Sequence, residues 1–284
     1  MPRQLLITNH SRDIAGLKYI YPVISRRAGG LSIGVNFNPN NACNWRCIYC
    51  QVPNLKPGNA PEMDLGLLST ELTGFLDYVR QGAFFADYNI DPALRFIKDI
   101  AISGNGEPTS LKNFPQAVSL IAEVATQAGI FPVSKFVLIS NGSLIHQEPV
   151  QAGLAAFASH NGELWLKLDS ATPSGRKRVN NTGQSQDKLL ENIGVASKLC
   201  AVKLQTCMLH FQDKLWTENE KQAYLQLLEI LREREIPIRE IMLYSIARQS
   251  FQPEAEQLTV ASVEEMNAFA AEIAALGYKV SVSS

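Results

Sequence analysis

The chain has 284 residues, 46% of them hydrophobic and 19% charged, a balance that fills a large core and excludes a disordered or low-complexity protein. With 26 Lys and Arg against 27 Asp and Glu, the formal net charge is −1, so the totals carry no basic field of the kind nucleic acid or an anionic membrane calls for. No run of about 18 apolar residues occurs, and Met1 to Asp13 lacks the apolar centre of a signal peptide; the expected setting is cytoplasmic, with no membrane partner.

Strand-like and helix-like stretches alternate along the chain. Leu31 to Phe37 predicts a strand, with Ile33, Val35 and Phe37 on one face, and Leu67 to Gln81 a helix with apolar residues at helical spacing. Asp99 to Ser103 is a short strand ended by a Gly-rich turn, and Phe114 to Ala128 a helix stopped by Gly129. Then come a strand over Lys135 to Ile139 closed by Asn141-Gly142, a helix over Glu148 to Ala158, and a strand over Leu164 to Leu168. A helix over Gln186 to Leu199 and a strand over Val202 to Leu209 follow. Thr217 with Glu220, and Ser262 with Glu265, read as capping boxes for helices ending near Arg234 and Gly277. Ile238 to Tyr244 is a strand between them, and Tyr278 to Val282 one more.

Strands separated by helices mean βαβ units and a parallel sheet. Six such units predict an α/β fold, a partial (β/α)6 TIM-like barrel with parallel strands, rather than a full eight-stranded one. The expected organisation is a single domain over 1–284, with an N-terminal extension over 1–30 and a βα core over 31–284. Asn54 to Pro61 and Gly82 to Pro92 read as loops within it.

Three of the five cysteines are crowded into Cys43-Asn44-Trp45-Arg46-Cys47-Ile48-Tyr49-Cys50, a C-x3-C-x2-C segment just after the first predicted strand. In a reducing compartment such crowding points to metal rather than disulfides. Three thiolates can hold three irons of a cubane cluster and leave the fourth open to a ligand; a fourth cysteine would close it. The competing reading is structural zinc or inert thiols, but zinc knuckles come in pairs with a fourth ligand nearby, and His10 is more than thirty residues away.

This segment, with the aromatic Tyr49 before its last cysteine, resembles the signature of the radical S-adenosylmethionine (SAM) enzymes. The resemblance implies a [4Fe–4S] cluster on Cys43, Cys47 and Cys50 whose open iron binds SAM. It further implies reductive cleavage of SAM to a 5′-deoxyadenosyl radical that takes hydrogen from a substrate. Ser103-Gly104-Asn105-Gly106-Glu107 is similar to the family's Gly-Gly-Glu segment, which places Gly104, Gly106 and Glu107 at the SAM amino group; Asn105 stands where the pattern has its second glycine. Ser140 and Asn141 at a strand end are further cofactor candidates, or a plain turn. Lys167 and Asp169 flank Leu168 and point to one face of their strand. Inside a barrel such a pair is costly unless it binds something; the family resemblance implies SAM contact at this point, which makes Asp169 a candidate for SAM binding and Lys167 for catalysis, against the alternative of an internal salt bridge. His210 is either a pocket residue or an ordinary hydrogen-bonded histidine, and Cys200 and Cys207 read as structural thiols.

Tyr21 to Arg27, Leu31 to Asn36, Lys167-Leu168-Asp169 and Leu243 to Arg248 are similar to a group of radical SAM proteins that itself resembles the wyosine-base synthases of tRNA. Archaeal-type members use a second three-cysteine cluster, for which Cys200 and Cys207 do not suffice. The only basic clusters are Arg26-Arg27 and Arg176-Lys177-Arg178. The expected substrate is therefore a small molecule, peptide or protein ahead of tRNA, with flavodoxin or ferredoxin as electron donor. The alternatives are wyosine-type tRNA-base modification and a non-catalytic Fe–S electron-transfer protein.

Overall fold

A computed structural model describes residues 15–25, 29–212 and 216–283. His10 and the Arg26-Arg27 cluster lie outside the described residues. Strand β1 (Ile20–Ser25) runs antiparallel to β2 (Gly30–Asn36), pairing Ile20 with Val35 and Tyr21 with Gly34. Gly34 is required there, because a Cβ would fall 2.1 Å from the Tyr21 ring. After β2 the chain makes the short parallel pair β3 (Ala42–Cys43) and β4 (Lys56–Pro57) outside the main sheet. Helix α1 (Leu65–Arg80) opens on Asp64, whose carboxylate accepts the Leu67 N–H, and buries Leu68, Leu72, Phe75, Leu76 and Val79. A short helix α2 (Ala83–Asp87) precedes β5 (Ile97–Ser103).

The remaining elements alternate. They are α3 (Phe114–Gln127), β6 (Lys135–Ser140), α4 (Glu148–Ala158), β7 (Glu163–Lys167), α5 (Pro173–Asn180) and α6 (Gln186–Leu199). Then come β8 (Ala201–Cys207), β9 (Leu209–Phe211), α7 (Glu218–Glu233), β10 (Glu240–Tyr244), β11 (Leu258–Val260), α8 (Val263–Ala275) and β12 (Val280–Ser283). Eight strands form one open, curled sheet in the order β1-β2-β5-β6-β7-β8-β10-β12. All neighbours from β2 to β12 are parallel. The predicted partial parallel barrel is present, with six βα units closed by β12 and an antiparallel strand added at the other edge.

The strand residues of the core are continuous hydrophobic runs, such as Ile100 and Ile102 of β5 and Phe136, Val137 and Leu138 of β6, as a sheet covered on its faces requires. At the amino ends of the strands, Lys203 closes the barrel floor between Glu163 at 3.1 Å and Glu240 at 2.9 Å. A smaller apolar cluster sits at the other end: Ile48, Val179, Cys207 and Leu209, with Tyr49, Phe211 and Tyr244 packed against it. It ties the cysteine loop to β8 and α5.

Candidate functional site

Because β2, β5, β6, β7, β8 and β10 are parallel, their carboxyl ends lie on one edge, and the loops that leave them face each other. Register brings Asn36 beside Ser103, Ser140 beside Leu166, and Cys207 beside Tyr244. The cysteine loop leaves β2 at this edge and is clamped on three sides. The Arg46 and Ile48 N–H groups donate to the carbonyls of Asn180 (3.2 Å) and Val179 (2.9 Å) at the end of α5. The Arg46 guanidinium forks onto both oxygens of Glu254 at 2.7 Å, and Phe251 N–H donates to the Cys50 carbonyl at 2.9 Å. On the third side Asn141 donates to the Asn44 side chain, which in turn donates to the Ser143 hydroxyl, each at 2.8 Å.

Cys43, Cys47 and Cys50 form no disulfide and are half-buried. Two sulfurs already accept N–H donors: Cys43 from the Trp45 backbone at 3.4 Å, and Cys47 from the Asn180 side chain at 3.2 Å. Burial pushes the Cys43 and Cys47 thiols up to about 12, Cys47 with help from the Asp169 charge. Among the described residues, no three His, Cys, Asp or Glu side chains converge as ligands of a single ion would.

Beside Cys47 lies a charged centre. Asp169, whose side chain is wholly buried, takes Lys167 at 3.5 Å and the Cys207 N–H at 2.9 Å on Oδ1. Its Oδ2 accepts Asn180 Nδ2 at 2.7 Å and the Tyr49 hydroxyl. Lys167 donates to the Tyr244 hydroxyl and lies over the rings of Tyr49 and Tyr244, 4.8 and 4.9 Å from their centres. Burial pulls this ammonium down, but the Asp169 charge, with Tyr244, outweighs it and holds Lys167 above its usual range.

A second buried carboxylate organises the β5 and β6 ends. Glu107 accepts the Thr109 N–H (3.1 Å), the Thr109 hydroxyl (2.6 Å), the Ser140 hydroxyl (2.6 Å) and the Asn141 N–H (2.7 Å). Burial raises its pKa against these hydrogen bonds. Gly106 and Gly104 let this loop approach the chain leaving β2: a Cβ on Gly106 would sit 1.8 Å from the Ala42 carbonyl, and one on Gly104 2.8 Å from Asn36 Oδ1.

No family model matches the chain. It is 22% identical over 225 residues to the UPF0026 protein slr1464 of Synechocystis, covering 77% of this chain and 74% of that protein. It is 29% identical over 174 residues to a UPF0026 protein of Helicobacter pylori, covering 61% and 49%, and 27% identical over 151 residues to a GTPase Obg of Brachyspira hyodysenteriae, covering 53% and 19%. The chain thus spans about half of the Helicobacter protein and a fifth of the Brachyspira one. Among solved structures, a radical SAM methyltransferase from Sphaerobacter thermophilus superposes with a TM-score of 0.61 at 13% identity, over 93% of this chain and 68% of that one. Streptococcus suis SuiB bound to S-adenosylmethionine gives 0.58 at 12%, over 90% and 51%. TYW1 with a lysine–pyruvate adduct gives 0.55 at 15%, over 87% and 73%. The chain has the radical SAM fold.

On this radical SAM fold, the residues singled out from sequence are gathered at one edge of the sheet. Cys43, Cys47, Cys50, Tyr49, Lys167 and Asp169 form one group; Gly104, Gly106, Glu107, Ser140 and Asn141 form the next. The side chains of Glu107, Ser140, Tyr49 and Asp169 are engaged with one another or with neighbouring loops. His210 is not in the group and pairs with Glu265 at 3.3 Å. Cys200 belongs to the main core, while Cys207 adjoins the charged centre. Asn180, Glu254 and the asparagines Asn36 and Asn38 were missed. Asn36 Oδ1 accepts the N–H groups of Asn38 and Asn105, both at 3.0 Å. Only its position at the end of a predicted strand pointed to it; Asn180 and Glu254 carry no local signal.

Proposed function

We propose that the chain is a radical SAM enzyme that holds one [4Fe–4S] cluster on Cys43, Cys47 and Cys50 and binds SAM against the carboxyl ends of β5, β6 and β7. The observation that carries this reading is the three-cysteine loop, clamped at the carboxyl edge of this sheet with N–H donors on two of its sulfurs. The donor set fits the group: each cysteine of a cubane takes its own iron, so the sulfurs need not converge, and with three thiolates one iron stays open. When bound, the cluster supplies the electron that cleaves SAM reductively, and the resulting 5′-deoxyadenosyl radical takes hydrogen from the substrate.

The protein's own residues do the positioning. Arg46, Ile48 and Phe251 hold the loop rigid. Glu107, with Ser140 and Asn141, locks the β5 and β6 ends, so the loop backbones rather than its filled carboxylate face the cofactor. Asp169 sets Lys167, and Lys167 offers a permanent positive charge to a carboxylate of SAM or substrate.

The substrate on this reading is a small molecule, peptide or protein, and the electron donor a flavodoxin or ferredoxin. Of the cluster at 176–178, Arg176 is buried, donating to the Ala171 carbonyl at 3.0 Å and Gln186 at 3.1 Å, which leaves only Lys177 and Arg178 exposed. Together with the net charge of −1 this speaks against a tRNA footprint.

Anaerobic reconstitution with iron and sulfide tests the metal assignment. Wild type and Cys200→Ala should each take up about four irons per chain with cluster absorption, and Cys47→Ala should not. Equal loading of Cys47→Ala and wild type would overturn the assignment.

A further inference from the structure

Asn180 ends α5 with its side chain buried, only 1% exposed. Its backbone carbonyl already anchors the cysteine loop through the Arg46 N–H at 3.2 Å, so anchoring does not require the side chain. The side-chain amide does something else. Nδ2 spans two acceptors, Cys47 Sγ at 3.2 Å and Asp169 Oδ2 at 2.7 Å. Both neighbours are acceptors, which fixes the NH2 edge toward them; the flipped amide would set oxygen against sulfur and carboxylate. The cost of that orientation is visible, since Asn180 Oδ1 is buried with no hydrogen-bond partner among the described residues.

We infer that Asn180 is a positioning residue that raises the reduction potential of the cluster by hydrogen-bonding the sulfur of Cys47. The inference rests on the cluster assignment proposed above. An N–H donor on a ligating thiolate stabilises the reduced cluster, which carries one more negative charge, more than the oxidised one. The effect acts against the neighbouring carboxylate: Asp169 favours the oxidised state, and Asn180, shared between the two, offsets it at the sulfur.

The test is an EPR-monitored redox titration of the reconstituted protein without SAM. Asn180→Leu, which keeps the volume and removes the donor, should shift the midpoint to more negative potential with iron content unchanged. Asn181→Gly is the control for loop anchoring. Asn181 donates to the Arg46 carbonyl at 2.8 Å and has φ of 50°, which glycine accepts; this variant should titrate as wild type. A full cluster in Asn180→Leu at the wild-type potential, or equal shifts in both variants, would overturn the inference while the cluster assignment stands. A wild-type protein that takes up no iron would overturn both. Wild-type protein containing asparagine labelled with 15N on the side-chain amide needs no substitution. Its reduced cluster should show a 15N coupling in pulsed EPR, and absence of that coupling would equally overturn the inference.

Discussion

Glu107 and Asp169 are each 2% exposed, and each carboxylate is filled by donors from the chain itself. Such groups hold a site in shape, and their loss is felt in stability first. Glu107→Gln keeps the shape but sets an NH2 against at least one of the four donors around it, so it should lower the unfolding free energy by about 1–3 kcal/mol in urea titrations. A variant within experimental error of wild type would contradict the hub role. Gly106→Ala asks the Ala42 carbonyl to retreat from a contact of 1.8 Å. Overpacking of this kind costs about 1–3 kcal/mol, and here it should also reduce cluster loading, because Ala42 precedes Cys43. At this scale the crowded cysteines were legible from their spacing, and the Gly-Glu turn from its resemblance to a family segment. The partners of those residues were not: Asn180 lies 133 positions from Cys47 and Glu254 208 from Arg46, separations that only the curl of the sheet brings together.

Helices α7 and α8 open on the same sequence signal and differ in what it does. Ser262 and Glu265 form the reciprocal capping box. Thr217 accepts the Glu220 N–H, but the Glu220 carboxylate turns away, accepting the Ser170 hydroxyl at 2.7 Å and the Thr172 hydroxyl at 2.5 Å. The predicted box on α7 is therefore half a box, because two hydroxyls in the loop after β7 compete for its acid. Glu220→Ala should be the more damaging of the two changes, about 1–3 kcal/mol from stranded hydroxyls against about 1 kcal/mol for Glu265→Ala at an exposed cap; equal losses by thermal denaturation would contradict the assignment. The long elements were legible because their apolar periodicity repeats over several turns or strands. Strand β1 was not, since Pro22 argues against a strand and is tolerated only at a sheet edge. Helix α5, sequence PSGRKRVN, was not, since it has no apolar stripe, only a Thr172 cap and a buried arginine.

Across the whole molecule the two ends of the sheet divide the work: an ion network at the amino ends, the candidate site at the carboxyl ends. Burial alone would raise Glu163 and Glu240, but hydrogen bonds and charge from Lys203, joined at Glu240 by a Ser281 hydrogen bond that is its largest lowering influence, outweigh it and hold both below the usual carboxylate range. Acids depressed in the folded state add stability above their ordinary pKa, near 4.3, that is lost as pH falls through the depressed values. Lys203→Met leaves two facing, partly buried carboxylates with the more exposed Lys135 and Lys279 as their remaining cationic neighbours, and should cost about 1–3 kcal/mol at pH 7. The variant should regain stability relative to wild type on acidification toward pH 5, as protonation relieves the repulsion. A constant difference between the two proteins across that interval would contradict the network. At the carboxyl end, the proposed SAM cleavage is read by product analysis. Anaerobically reconstituted protein with dithionite and SAM should form 5′-deoxyadenosine, and Cys47→Ala should form none. A fully loaded cluster that leaves SAM intact would rule out the proposed radical SAM activity.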